Sequence, residues 1–126
     1  MPSEDQGEQF LLKTKIYLIN PDGIEFMGIG VLWLLQHIET FGSIRKAAAH
    51  MHLSYAKAHR MIREAEQYSG LKLVERRRGG DLREGTFLSP TGKRFMSAYQ
   101  LFQEEVKENA ERSFREFRRK LGGLYS

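Results

Sequence analysis

The sequence predicts a mainly α fold with a small β component, and three observations carry that expectation. Helical periodicity recurs in closely spaced segments between Val31 and Ser69. Two short β-prone runs, separated by glycines, follow between Leu71 and Leu88. A 3-and-4-spaced apolar pattern then runs uninterrupted from about Pro90 to Leu121. At 126 residues the chain fits one domain, 1–126. Its expected parts are a disordered leader over 1–9, a strand region over 10–27, the helices and hairpin over 28–89, and a long helix over 90–121.

The leader is polar and charged, with few apolar residues to bury. From Leu11 to Asn20 the run LLKTKIYLIN alternates, with Leu12, Thr14, Ile16 and Leu18 on one side, as a half-buried strand would. Asn20-Pro21-Asp22-Gly23 reads as a turn, and Ile24 to Met27 as a possible returning strand. Gly28-Ile29-Gly30 lacks the third glycine or lysine of a phosphate loop and reads as a strand-to-helix turn. The first helix, Val31 to about Phe41, is apolar nearly all round, so burial on more than one side is expected, with Val31 and Leu34 also meeting a partner chain. Gly42 suits its C-terminal end.

Gly42 to Arg76, GSIRKAAAHMHLSYAKAHRMIREAEQYSGLKLVER, organises the rest. Ser43 precedes a helix whose Ala47 and Ala48 let another helix cross closely. The run His50-Met51-His52-Leu53 ends it, and Ser54 is an N-cap for the next helix. In that helix Ala58, Ile62 and Ala65 form a buried stripe, while Tyr55, Lys57, His59, Arg60 and Arg63 lie on the polar side. Gly70 ends it and Leu71 to Arg76 reads as a strand. A glycine-punctuated loop from Arg77 to Gly85 leads to the return strand Thr86 to Leu88. Two helices, a tight turn and a basic hairpin have the form of a winged helix-turn-helix that reads DNA.

Charge supports a polyanion partner. Residues 42–94 hold 12 Lys/Arg against 5 Asp/Glu, a net of +7, while the remainder carries −3. Arg76, Arg77 and Arg78 at the base of the hairpin could reach phosphates or a minor groove, or simply solubilise an exposed edge. The last helix begins with Ser89-Pro90-Thr91, a cap and a first-turn proline. Its helical rise gives a length of about 45 Å. Phe95, Tyr99, Phe102, Val106, Ala110, Phe114, Phe117 and Leu121 line one side, a stripe expected to pair with the same helix of a second chain. Folding back over the first helix is the monomeric alternative.

The pattern Gly42-Ser43, Ala47-Ala48, Leu53-Ser54, Ile62, Gly70, Leu73, Glu75-Arg76 resembles the winged helix-turn-helix of LysR-type regulators. Leu88-Ser89-Pro90-Thr91-Gly92 looks like the LTxxG signature that opens the next helix there. Ser54-Tyr55 and Ala58 resemble the SYxxA start of the reading helix in ModE-type, molybdate-responsive regulators, which also place a strand region before the first helix. That resemblance covers about Leu11 to Phe102. His59-Arg60 departs from the Trp-Asp common in ModE-type proteins, and Asp81-Leu82-Arg83-Glu84 departs from their glycine-rich wing. No molybdate-binding domain is expected before the chain stops at Ser126.

The resemblance implies a homodimer on double-stranded DNA, with the helix begun by Ser54 in the major groove and a near-palindromic operator. Tyr55, Ala56, His59 and Arg60 would face base edges, while Lys57, Arg63, Ser43, Arg45 and Thr91 would meet phosphates. Rival readings are a protein-docking winged-helix adaptor and a non-specific architectural DNA binder. No H-E-x-x-H, P-loop, G-x-S-x-G or cysteine nucleophile is present, so no enzyme is expected. No cofactor or small-molecule ligand is evident either. Having no cysteine, the chain forms no disulfide or thiolate metal site, and His50, His52 and His59 do not share a helical face suited to a metal. The N-terminus MPSEDQGEQF is unlike a secretory signal, and Val31 to Leu35 is too short to span a bilayer. A cytoplasmic location is expected.

Overall fold

The computed structural model describes residues 9–77 and 85–125. The chain divides into a head, Ile16–Gln100, and a second unit formed by the described residues of 1–15 and 101–126. The leader expected over 1–9 falls, apart from Gln9, outside the described residues, as does most of the hairpin loop.

The head begins with β1 (Leu18–Ile19) and β2 (Glu25–Met27), an antiparallel pair. Their turn is locked by Asn20, whose side-chain oxygen accepts from the backbone N–H of Asp22 and Ile24, both at 2.9 Å. Of the strand expected over Leu11 to Asn20, β1 covers only Leu18–Ile19. Thr14, Ile16 and Leu18 are partly buried and Lys13, Lys15 and Tyr17 exposed, so the alternation extends beyond β1. Leu12, expected on the inner side, is 36% exposed.

Helix α1 spans Ile29–Phe41, two residues earlier than the apolar run suggests, so Gly30 lies in its first turn and Gly28 is the N-cap. It is the central element of the head. Leu34, Leu35 and Ile38 are fully buried, each contributing about 1.5–3 kcal/mol relative to exposure. Gly42 closes α1 in the left-handed region, φ 66°, and its N–H donates to Ile38 O.

Helix α2 (Ile44–His50) and α3 (Tyr55–Ser69) follow. Ser43 and Ser54 cap them, each Oγ accepting a backbone N–H three residues on, from Lys46 and Lys57, at 3.1 Å. Ala47, Ala48, Ala58, Ile62 and Ala65 are buried, so small residues set the close crossing of the two helices, as their pattern predicts. His52, in the turn between them, adopts φ 57°.

β3 (Val74–Arg77) and β4 (Gly85–Leu88) form the wing hairpin, with Val74 opposite Leu88 and Arg77 opposite Gly85. Two carboxylates fix it to the helices. Glu66 of α3 accepts from the N–H of Leu73 at 2.8 Å and Val74 at 3.2 Å. Glu39 of α1 accepts from Leu88 N–H at 2.9 Å and lies 3.6 Å from the Lys93 ammonium. Gly42 O accepts from Thr86 N–H at 3.0 Å, which brings β4 onto the α1–α2 junction.

Helix α4 runs Pro90–Leu124, three residues past the expected end. Ser89 caps it, accepting from Gly92 N–H at 2.8 Å while donating to Lys72 O at 2.6 Å. A Cβ on Gly92 would lie 2.0 Å from Leu73 O, so only glycine lets α4 approach the wing strand this closely. The Tyr99 hydroxyl lies within 3.5 Å of the carbonyls of Ile16 and Met27, and its ring is buried.

In the second unit, α4 continues as an amphipathic helix. Val106, Ala110, Phe114 and Leu121 are half-buried, whereas Phe102 is 41% and Phe117 53% exposed. The residues predicted to meet a second copy therefore need correction at three positions. Val31, Leu34 and Tyr99 are core residues of the head, buried by their own chain. Phe95 is half-buried against the same core. On α1, the large apolar residue turned outward is Trp33, at 50% exposure.

Candidate nucleic-acid interface

The capped starts of α2 and α3 and the base of the wing enclose an open groove of about 720 Å3. Its rim carries Arg45 and Lys46 from α2, Tyr55 from α3, and Arg76 and Arg77 from β3. Ser43, Gly85 and Thr86 also line it. Four cations and no acidic side chain line it among the described residues, which suits a phosphate backbone rather than an apolar ligand.

Two of the cations lie against aromatic rings. Arg45 Cζ sits 4.5 Å from the centre of the Tyr55 ring. Arg77 Cζ lies 4.8 Å from the Phe87 ring centre, and its Nε is 3.8 Å from the Glu75 carboxylate. Stacking leaves the in-plane N–H groups of a guanidinium free to donate. Arg76, on the other side of the strand, is exposed. Ser43 Oγ is occupied as an acceptor by its cap, which leaves its O–H available as a donor.

Along α3, Tyr55, Ala56, Lys57, His59, Arg60 and Arg63 are all exposed, opposite the buried Ala58, Ile62 and Ala65. Tyr55 and His59 are one turn apart with ring centres 5.8 Å from each other. Ser54 is exposed at the N-cap. This is a continuous polar face on a 15-residue helix, about 22 Å long. Thr91 is exposed in the first turn of α4 but does not line the groove. Arg78 lies outside the described residues.

Among the polar side chains of the groove, sequence reasoning missed two, Lys46 and Thr86. Lys46 adjoins Arg45 at the start of α2, a doublet whose signal was readable. Thr86 enters only because β4 docks on Gly42 O, a contact that sequence does not announce. His50 stacks on Phe41 with ring centres 4.0 Å apart and has His37 as a neighbour at 6.4 Å, while His59 lies on α3 beside Tyr55. No group of three or more His, Asp or Glu side chains able to hold a metal occurs among the described residues. Nor is any helix among them long and apolar enough to cross a membrane.

Residues 31–93 match a family described as bacterial regulatory helix-turn-helix protein, lysR family. Comparison with curated proteins finds no match. Solved structures with the same fold include a CbnR_DBD–DNA complex, 23% identical, with TM-score 0.55, covering 69% of this chain and 94% of that one. The BenM_DBD/benA site 1 DNA complex is 21% identical, with TM-score 0.52 and coverages of 71% and 94%. VV2_1132, a LysR family transcriptional regulator, is 20% identical, with TM-score 0.55 and coverages of 72% and 28%. The chain thus spans nearly all of the isolated DNA-binding domains and 28% of the longer regulators. At these identities the likeness establishes the fold.

Proposed function

The chain belongs to the LysR family of bacterial regulatory helix-turn-helix proteins, and from that premise we propose that it is a sequence-specific, double-stranded DNA-binding transcription regulator acting as a homodimer. The observation that carries this reading is the continuous exposed face of α3 running into a groove lined by four cations. A helix with one buried stripe and a polar face fits the major groove, which admits an α-helix and presents distinct base edges. Arg60 is the candidate for a bidentate contact to guanine, and Ala56 for contact with a thymine methyl. Lys57 and Arg63 flank them as phosphate contacts, joined by Ser43, Arg45, Arg76 and Arg77 around the groove.

The second copy would pair through the outer half of α4, where the exposed Phe102 and Phe117 and the half-buried Val106, Ala110, Phe114 and Leu121 supply the apolar surface. Within the family, the hairpin before α1 and the Ser54-Tyr55, Ala58 start of α3 support a ModE-like reading of this head. The test is a titration of a short labelled duplex at several salt concentrations, with the molar mass of the free protein measured alongside. Binding that weakens linearly with log salt, by a slope of about −0.9 per phosphate contact, supports the regulator. Absence of binding even at low salt would replace it with a protein-docking adaptor.

A further inference from the structure

The contact between Arg45 and Tyr55 bears on how the groove works, and its interpretation rests on the DNA-binding reading above. Arg45 is the second residue of α2 and Tyr55 the first of α3, so their stack ties the two helices at the groove's rim. The 4.5 Å separation places the guanidinium against the face of the ring. Both residues are exposed, Tyr55 at 42%, so the ring is not a core residue and the pair lies open to a ligand. Arg45 has no ion-pair partner among the described residues.

An aromatic face offers a guanidinium attraction without accepting its in-plane hydrogen bonds. All five N–H donors of Arg45 therefore stay available, while the long side chain is confined to one region of the groove. Confinement before binding removes part of the ordering cost of the contact. We propose that Tyr55 is a positioning residue: its ring holds the Arg45 guanidinium over the groove so that it donates to a DNA phosphate, and Tyr55 does not itself read a base.

The prediction is a coupling. In anisotropy titrations of the full chain with a short duplex of mixed sequence, Arg45→Ala weakens binding about tenfold and lowers the salt slope by about two, one phosphate contact for each protomer of the dimer. Tyr55→Ala weakens it by about two- to fivefold in the parent, and by nothing further in the Arg45→Ala background. Tyr55→Phe, which keeps the ring, recovers most of what Tyr55→Ala loses. Arg45→Lys, which keeps the charge and loses the planar fork, removes the advantage of the ring. These conservative variants carry the test should an alanine variant fail to fold. Equal effects of Tyr55→Ala in both backgrounds, or a Tyr55→Phe as weak as Tyr55→Ala, would overturn the proposal by showing an independent contact from the ring or its hydroxyl. A parent that binds no duplex overturns the functional reading as well, which separates the two failures.

Discussion

Removing the Glu66 carboxylate should detach the wing from α3 at a cost that the geometry sets. Glu66 Oε2 accepts two backbone N–H groups, from Leu73 and Val74, at 2.8 and 3.2 Å. Hydrogen bonds to a charged acceptor are each worth about 1.5–3 kcal/mol, and leaving partly buried donors unpaired costs at the lower end of that range where water can reach them. Glu66→Ala should therefore destabilise the head by about 2–4 kcal/mol, roughly a 10 °C fall in Tm for a domain of this size. Glu66→Gln keeps a carbonyl acceptor in place of the carboxylate oxygen and should lose about half as much. Urea denaturation with a common m-value is the assay, because it separates lost stability from a change in compactness. The same carboxylate joins the end of α3 to the start of β3, so salt-dependent duplex binding should weaken along with stability in the alanine variant. A Glu66→Ala midpoint within about 0.5 kcal/mol of the parent would refute the clamp, since ordinary surface substitutions fall there.

Other perturbations test the remaining joints. Gly92→Ala gains about 1 kcal/mol of helix propensity but puts a Cβ 2.0 Å from Leu73 O; a net loss of about 2 kcal/mol or more is expected in the same urea assay. His52→Gly relieves a left-handed residue at φ 57° and should raise stability by about 0.5–1 kcal/mol, read as a higher Tm. Arg119 donates a hydrogen bond to Glu116, which holds that carboxyl below the usual carboxylate range. A depressed folded pKa gives stabilisation present above the unfolded value and lost as pH falls through the folded one. Helicity of α4 by circular dichroism should accordingly fall slightly in acid, and Glu116→Gln should remove that part of the fall.

The order of elements was legible because the chain punctuates its helices. Ser43 and Ser54 cap as their positions predict, and Gly42 and Gly70 end their helices in the left-handed conformation that glycine tolerates best. The exposed face of α3 was equally readable, since Ala58, Ile62 and Ala65 leave only one side for polar residues. Apolar spacing could not tell a core from an interface, which is why Val31, Leu34 and Tyr99 seemed available to a partner and are buried in the head. The strand run from Leu11 showed the alternation but not that the strand would be confined to Leu18–Ile19. Glu66 and Glu39 escaped notice because they bond backbone that lies seven and 49 residues away, where no local pattern points. Lys46 and Thr86 join the groove only once β4 docks beside α2.

The central claim is that the exposed face of α3 reads base sequence from a dimer. Selection of bound duplexes from a random library, run in parallel on the parent and on Arg60→Ala, tests it most directly. The account predicts a near-palindromic motif with half-sites one helical turn apart, or a multiple of it, for the parent. In the variant, preference should relax at one base pair per half-site, with an affinity loss of about 1–3 kcal/mol. Sequence-blind enrichment by the parent, or a uniform loss across all sequences in the variant, would contradict it and leave Arg60 as a backbone contact.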